Sequence, residues 1–240
     1  MTPIEQLQNI IDSARHVVFF TGAGVSTDSG IPDFRSQDGL YHQKYKFPPE
    51  QIISHSFFEE NPEEFFRFYK DKMLNLDAKP NYIHEYMAKL EQAHKSLGVV
   101  TQNIDGLHQL AGSKKVYELH GSVLRNYCEG CRKFYPAEYI AKCNGVPRCE
   151  TCGNIIKPDV VLYEEGLSDA VVRGAIAAIQ SADVLIVCGT SLVVYPAAGM
   201  LRYFGGKYLV LINRDETPYD TMADLVIHDS FKNVFPKLHI

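Results

Sequence analysis

The chain is short of three things, and each shortage excludes something. It has no basic excess: 24 Lys and Arg stand against 29 Asp and Glu, for a formal net charge of −5. A nucleic-acid binder usually carries a basic face, so no direct nucleic-acid partner is expected. It has no long apolar run. Stretches such as Val184-Leu-Ile-Val-Cys188 fall far below the roughly 20 residues that cross a bilayer. Its start, Met-Thr-Pro-Ile-Glu-Gln, has no basic segment leading into an apolar one. That start does not read as a signal peptide, and the expected compartment is the cytoplasm. Neither an internal repeat nor a low-complexity tract interrupts the 240 residues. At 45% hydrophobic and 22% charged, they suit a globular protein with one large core and room for a small second module.

A fourth absence lies inside a motif. The stretch "TGAGVSTDSGIPDFR", Thr21 to Arg35, follows the apolar run His16-Val-Val-Phe-Phe20 and begins like a phosphate-binding turn, Gly22-x-Gly24. A dinucleotide fingerprint for hydride transfer wants a third glycine where Thr27 stands. It also wants a strand ending in an acid about twenty residues on. Near that distance the chain reads His42-Gln43-Lys44. A plain dehydrogenase is therefore disfavoured.

What is present alternates short apolar strands with helices. Helical spacing covers 3–14, with Ile4, Leu7, Ile10 and Ile11 on one face behind Pro3. Buried strands are expected at 16–20, 98–102, 116–119, 160–163, 184–188, 208–212 and 225–228. Further helices are expected at 62–76, 80–94, 104–111, 168–180 and 196–204, and 31–56 reads as a long ordered loop. The pattern predicts an α/β fold with a doubly wound, Rossmann-type parallel sheet and helices on both faces. The segment 122–157 is expected as an insertion between two sheet strands.

That insertion carries five of the six cysteines, four of them grouped as Cys128-x2-Cys131, seventeen residues, then Cys149-x2-Cys152, with Cys143 outside the quartet. Two such knuckles suit tetrahedral zinc. The residues between them are too polar for a core of their own, so metal binding would supply the folding energy. Four thiolates leave no open position, which makes the expected zinc structural. Cys188 reads as a small buried residue.

In an open parallel sheet, ligands bind beyond the carboxyl ends of the strands. There the sequence places Gly22-Ala23-Gly24, then Gln102-Asn103-Ile104-Asp105, then His120. Gly189-Thr190-Ser191 and Asn213 follow at the last strand ends. Glycines let backbone approach a phosphate, hydroxyls and amides suit phosphate and ribose, and a histidine serves as a general base near neutral pH. Asp105 also suits a helix cap.

Several stretches together resemble the sirtuins, NAD-dependent protein lysine deacylases: "GAGVSTDSGIPDFR" (22–35), "TQNIDGLHQLAG" (101–112), "ELHGS" (118–122), the cysteine quartet, "GTSLVVYPAAG" (189–199) and "INRDETP" (212–218). They span almost the whole chain, in the compact pattern of the bacterial branch.

The resemblance implies a large Rossmann-type NAD-binding domain, 1–35, 81–121 and 158–240. It implies a small domain of helical part and zinc ribbon, 36–80 and 122–157. It implies a monomer that removes acetyl groups from acetyl-lysine proteins or peptides, with NAD as cosubstrate and zinc as a structural ion. Nicotinamide and O-acetyl-ADP-ribose would be released. Ala23, Thr27, Phe34, Arg35, Gln102, Thr190, Ser191 and Asn213 would contact NAD. Asn103 and Asp105 would line its ribose and nicotinamide region, Ile104 would lie against the nicotinamide, and His120 would be the base. An ADP-ribosyltransferase, or a non-catalytic NAD sensor, would share much of this residue set. The acylated peptide is expected to add as a strand between Val161–Tyr163 and Leu192–Val194, touching Val160, Val161, Tyr163 and Val193. The family's Val-x-Phe-Gly-Glu is here Val161-Leu-Tyr163-Glu164-Glu165, which puts a charge where a glycine is usual. In "EEFFRFYKDKM" (63–73), Phe66 and Tyr69 replace the Tyr-x-x-Arg pair of succinyl-specific members, so an uncharged acyl group is expected.

Overall fold

The computed structural model describes residues 1–33 and 46–240. Helix α1 (Pro3–Ser13) begins with Pro at its first position and a capping box. The Thr2 hydroxyl accepts from the Glu5 amide, and the Glu5 carboxylate accepts from the Thr2 amide. Strand β1 (Val17–Thr21) is buried along its whole length, as a strand covered on both faces must be. A 3₁₀ turn, Ala23–Ser29, follows directly. The described part of the expected loop 31–56 contains two short helices, α2 (Pro49–Ile52) and α3 (His55–Glu60). They are too short to show a sequence period. Helix α4 (Pro62–Phe68) runs on into a wider π turn, Tyr69–Met73. Helix α5 (Tyr82–Gln92) is capped by Asn81.

Strand β2 (Ser96–Thr101), helix α6 (Leu107–Leu110) and strand β3 (Val116–Glu118) come next. Then follow β4 (Gly121–Cys128), β5 (Phe134–Pro136), α7 (Ala137–Lys142) and β6 (Ile156–Val160). The chain ends with α8 (Asp169–Ser181), β7 (Val184–Cys188), a 3₁₀ turn Ala198–Tyr203, β8 (Tyr208–Asn213), β9 (Leu225–His228) and α9 (Phe231–Val234).

Six strands form one parallel sheet in the order β3-β2-β1-β7-β8-β9. The order reverses between β1 and β7, which makes the crevice beyond their carboxyl ends the switch point where ligands bind. One face of the sheet packs on α1, α5 and the C-terminal turns, through Leu7, Ile11, Met87, Leu90 and Phe235. The other face packs on α8 and the 198–203 turn, through Ala175, Ile179 and Leu201. The antiparallel order β5-β4-β6 makes a second, small sheet. Its apolar side shares one core with the aromatic residues of α3 and α4, Phe57, Phe58, Phe65 and Phe66.

Two expectations need correction. The stretch 160–163 is not a strand of the large sheet. Ile156–Val160 pairs antiparallel with β4, and only Tyr163 makes a further single bridge, to Ser54. The cause is Gly121. Its φ of 75° turns the chain straight from β3 into β4, and a Cβ there would lie 1.9 Å from the Asp159 carbonyl oxygen. Periodicity cannot tell which sheet an apolar run joins. The expected helix at 196–204 is the shorter 3₁₀ turn, which follows a cis Tyr195–Pro196 bond.

Candidate active site

The loops at the switch point meet first through glycine. Gly22 donates to the Cys188 carbonyl at 3.1 Å and Gly24 to the Gly189 carbonyl at 2.9 Å. A Cβ on Gly22 would lie 2.7 Å from Gly189 O, and one on Gly189 would lie 2.6 Å from the Val25 nitrogen. These glycines let the two loops close on each other, a tighter requirement than access for a phosphate. The joined loops floor a cleft of about 440 Å³.

Around it stand Ala23, Thr27, Gln102, Asn103, Ile104, Asp105, His120, Thr190, Ser191 and Asn213, with Val160, Val161 and Tyr163 on another wall. Val193 is not among the lining residues, and its side chain is exposed. Phe34 and Arg35 lie outside the described residues. The expected extended run 192–194 is broken at Leu192, which is left-handed with φ 56°.

Hydrogen bonds orient the polar side chains. The Gln102 amide donates to Thr190 Oγ1 at 2.9 Å, and the Thr190 N–H donates to Asn213 Oδ1 at 3.0 Å. Among the described residues Asn213 Nδ2 is buried with no protein partner, although a buried amide is costly without one. A donor left open in a cleft wall fits a bound nucleotide cosubstrate. The half-buried His120 has Nδ1 3.0 Å from the Gln102 carbonyl oxygen. A carbonyl only accepts, so Nδ1 carries the hydrogen and Nε2 is left as the basic nitrogen. Burial lowers the His120 pKa, and the Gln102 contact works against that.

Beneath the cleft, Ser26 joins the acid and the amide. Its hydroxyl donates to Asp105 Oδ2 at 2.7 Å and accepts from Asn103 Nδ2 at 3.1 Å. Asp105 Oδ1 accepts from the Leu107 amide at 2.9 Å, so the carboxylate also caps α6. Burial raises the Asp105 pKa, while the bonds from Leu107 and Ser26 pull it down. The Asn103 N–H donates to Thr101 Oγ1 at 3.0 Å. Thr21 Oγ1 bonds Thr101 at 2.8 Å and the His108 ring at 3.1 Å. The His84 and His108 rings meet at 4.8 Å, and burial keeps both neutral. Ser26, His84 and His108 escape sequence reading. Ser26 looks like one more small loop residue, and the two histidines look like helix-face positions. Ser230 and Phe231, also cleft residues, follow a strand end that carries no motif.

The segment 162–165 is a tight turn. The Glu165 amide donates to the Leu162 carbonyl at 3.1 Å, and Glu164 takes φ 76°. An L residue in that conformation costs about 1–2 kcal/mol. Two hydrogen bonds offset the strain: the Ser56 amide and hydroxyl donate to the Glu164 carboxylate at 2.9 and 3.0 Å. Glu165 accepts from the Leu162 amide, His55 and Lys157 at 2.9, 2.8 and 3.1 Å. Its pKa is lowered by these partners despite burial.

The four sulfurs of Cys128, Cys131, Cys149 and Cys152 all lie within 4.8 Å of one another, close enough for one tetrahedral zinc ion to be held by all four. Cys128 and Cys149 belong to the core shared with α3 and α4, and the Tyr135 hydroxyl donates to the Cys149 sulfur at 3.2 Å. Phe66 and Tyr69 are buried in the same core, and Arg67 is exposed and paired with Glu64.

Comparison with known proteins agrees with this geometry. The Sir2 family model matches residues 22–196. A protein of Clostridium perfringens named NAD-dependent protein deacetylase is 60% identical over 238 residues, covering 98% of each chain. One of the same name from Staphylococcus epidermidis is 50% identical over 237 residues, covering 98% of this chain and 96% of that one. A solved structure described as "Sir2-p53 peptide-NAD+" aligns at TM-score 0.87 and 42% identity, covering 99% of this chain and 97% of that one. Another, "Sir2 bound to acetylated peptide", aligns at TM-score 0.86 and 40% identity, with the same coverage.

Proposed function

The chain belongs to the Sir2 family and is an NAD-dependent protein deacetylase, and we propose that the cleft at the β1/β7 switch point carries the reaction on the residues described above. When bound, NAD supplies a ribose carbon that gives up nicotinamide and a ribose hydroxyl that receives the acetyl group as O-acetyl-ADP-ribose. The protein's part is orientation and one proton transfer. The observation that carries this reading is the His120 tautomer. Nδ1–H is held by the Gln102 carbonyl, so the free electron pair on Nε2 is available to take the proton of that hydroxyl.

Asn103 is held at two points, its backbone N–H by Thr101 and its side chain by Ser26. Fixed in this way, it orients the ribose end of the cosubstrate. Asp105 acts through Ser26 as a positioning residue. Thr190, Ser191 and the Asn213 amide hold the remainder of the cosubstrate, together with Ala23, Thr27, Phe34 and Arg35. The acetyl-lysine peptide lies along Val160, Val161, Tyr163 and Val193. The zinc holds together the small domain, 36–80 and 122–157, beside the NAD-binding domain of 1–35, 81–121 and 158–240. The protein acts as a cytoplasmic monomer on acetylated proteins, without nucleic acid or membrane. Among the described residues, no helix is long and apolar enough to cross a membrane.

The test is product analysis by mass spectrometry with NAD and an acetyl-lysine peptide, for wild type and His120→Ala. The expected result is nicotinamide, free lysine peptide and O-acetyl-ADP-ribose from wild type, with turnover in the variant down by about 10²–10⁴-fold. Near-normal deacetylation by the variant removes His120 from the role. ADP-ribose attached to the peptide would assign the transferase reaction instead.

A further inference from the structure

We propose that Glu164 is a specificity-determining residue that favours acetyl-lysine substrates with a basic residue close to the modified lysine, an inference that rests on the deacetylase reading above. Glu164 stands at a left-handed position, φ 76°, which glycine takes without strain. The turn alone does not call for a glutamate. What the side chain adds is a carboxylate in a set place, gripped by the Ser56 amide at 2.9 Å and the Ser56 hydroxyl at 3.0 Å. Both donors are neutral, so the charge is oriented and not compensated.

The neighbouring Glu165 is the contrast. Lys157 lies 3.1 Å from its carboxylate and His55 lies 2.8 Å from it. Among the described residues, no comparable ion pair joins Glu164. It is exposed, and it lines the cleft on the same segment as Val160, Val161 and Tyr163, where the peptide is placed. Among the described residues, the Lys and Arg side chains of the cleft wall are already beside acids. Lys72 is 3.1 Å from Asp71, and Arg214 is 3.7 Å from Asp33. Asp215 and Glu216 add further negative charge to the wall, in a chain of net charge −5. A peptide entering here meets a fixed negative charge. An ammonium or guanidinium group beside the acetyl-lysine is attracted to it, and a carboxylate is repelled.

The experiment measures Kd by fluorescence anisotropy for a neutral acetyl-lysine peptide and for versions with a single Arg or Glu at each of the two positions on either side. The readout is the Glu-to-Arg ratio of Kd within each protein, so changes in overall affinity cancel. For wild type, one flank is expected to show a ratio of about three to ten at low salt, shrinking toward one at ~0.5 M salt. In Glu164→Gln the ratio is expected to fall close to one while the bond from the Ser56 amide is kept. Glu164→Gly, which suits the left-handed turn, should give the same loss if the glutamine variant folds poorly. A wild-type ratio near one at every position, or an unchanged ratio in both variants, overturns the inference. If even the neutral peptide does not bind wild type, the placing of the peptide in this cleft fails, and the inference fails with it.

Discussion

His84 and His108 lie ring to ring under the cleft, and their burial makes a testable statement about acid. Burial holds the His84 pKa down to about 4. It holds His108 well below its ordinary value, with His84 adding to the effect. In the unfolded chain both titrate near pH 6.5. Between those values the unfolded state carries more protons than the folded one, so stability rises with pH and falls as acid is added. For His84, going from pH 7 to pH 5 costs roughly 2 kcal/mol. His108, held well below its ordinary value by burial, adds to the loss in the same direction. The His84 share alone is a sizeable part of the ~5–15 kcal/mol that holds an ordinary domain together. His55 works in the opposite direction. Its hydrogen bond to Glu165 raises its pKa, so its stabilisation is complete below pH 6.5 and is lost as pH rises through the folded value. Its side chain is 40% exposed, and solvent screening keeps that offset small. The assay is urea unfolding followed by circular dichroism at pH 7 and pH 5, for wild type, His84→Asn and His108→Asn. Acid also loosens zinc thiolates, so the quantity to read is how much of the wild-type pH loss each variant removes. Each variant is expected to remove part of it. A variant whose pH loss equals that of wild type refutes the argument for that histidine.

Four further outcomes follow from the same structure. Burial lowers the His120 pKa, so the neutral base persists below pH 6.5, and the acid limb of kcat/KM should lie on the acid side of that value; a limb above it would contradict the assignment. Gly189→Ala should lower Tm by roughly 5–15 °C, because a left-handed alanine costs about 1–2 kcal/mol and its Cβ meets the Val25 nitrogen at 2.6 Å; Gly30→Ala, equally left-handed with nothing within 4 Å of its Cβ, should lose only the first part. Zinc chelation or Cys149→Ser should unfold the small sheet and reduce activity indirectly through the shared core with α3 and α4; full activity with unchanged melting in zinc-free protein would refute this. Acetyl peptide should be processed with kcat/KM at least about tenfold above its succinyl version, since Arg67 is exposed and paired with Glu64 and a buried carboxylate without a partner is costly; equal values would mean that another cation reaches the acyl group.

Much of this protein is legible without coordinates. The zinc site follows from four cysteines at knuckle spacing, because ligand chemistry and chain geometry are local. The parallel sheet follows from short apolar strands alternating with helices, because strands buried on both faces leave little choice of residue. The polar residues at the strand ends are legible for the same reason: in this architecture the end of a strand is already a place, and Gln102, Asn103, Asp105, His120, Thr190, Ser191 and Asn213 all line one cleft.

What required the tertiary structure is everything settled by one segment meeting another. Ile156–Val160 joins the small sheet because Gly121 turns β3 into β4, and no periodicity reports which neighbour a strand will choose. Gly24 and Gly189 are 165 positions apart in the chain, and a Cβ on either would run into the backbone of the other. Ser26 matters through bonds to Asp105 and Asn103, His108 through its bond to Thr21, and His84 through its contacts with Ser26 and the His108 ring, partners brought near only by the folded sheet. Glu164 reads in the sequence as a departure at a position usually held by glycine. Only the fold shows that the position is left-handed and that Ser56, 108 residues earlier, holds the carboxylate at the cleft. Local chemistry is written along the chain, whereas long-range contacts depend on how distant segments pack, and that packing is a property of the whole sequence at once.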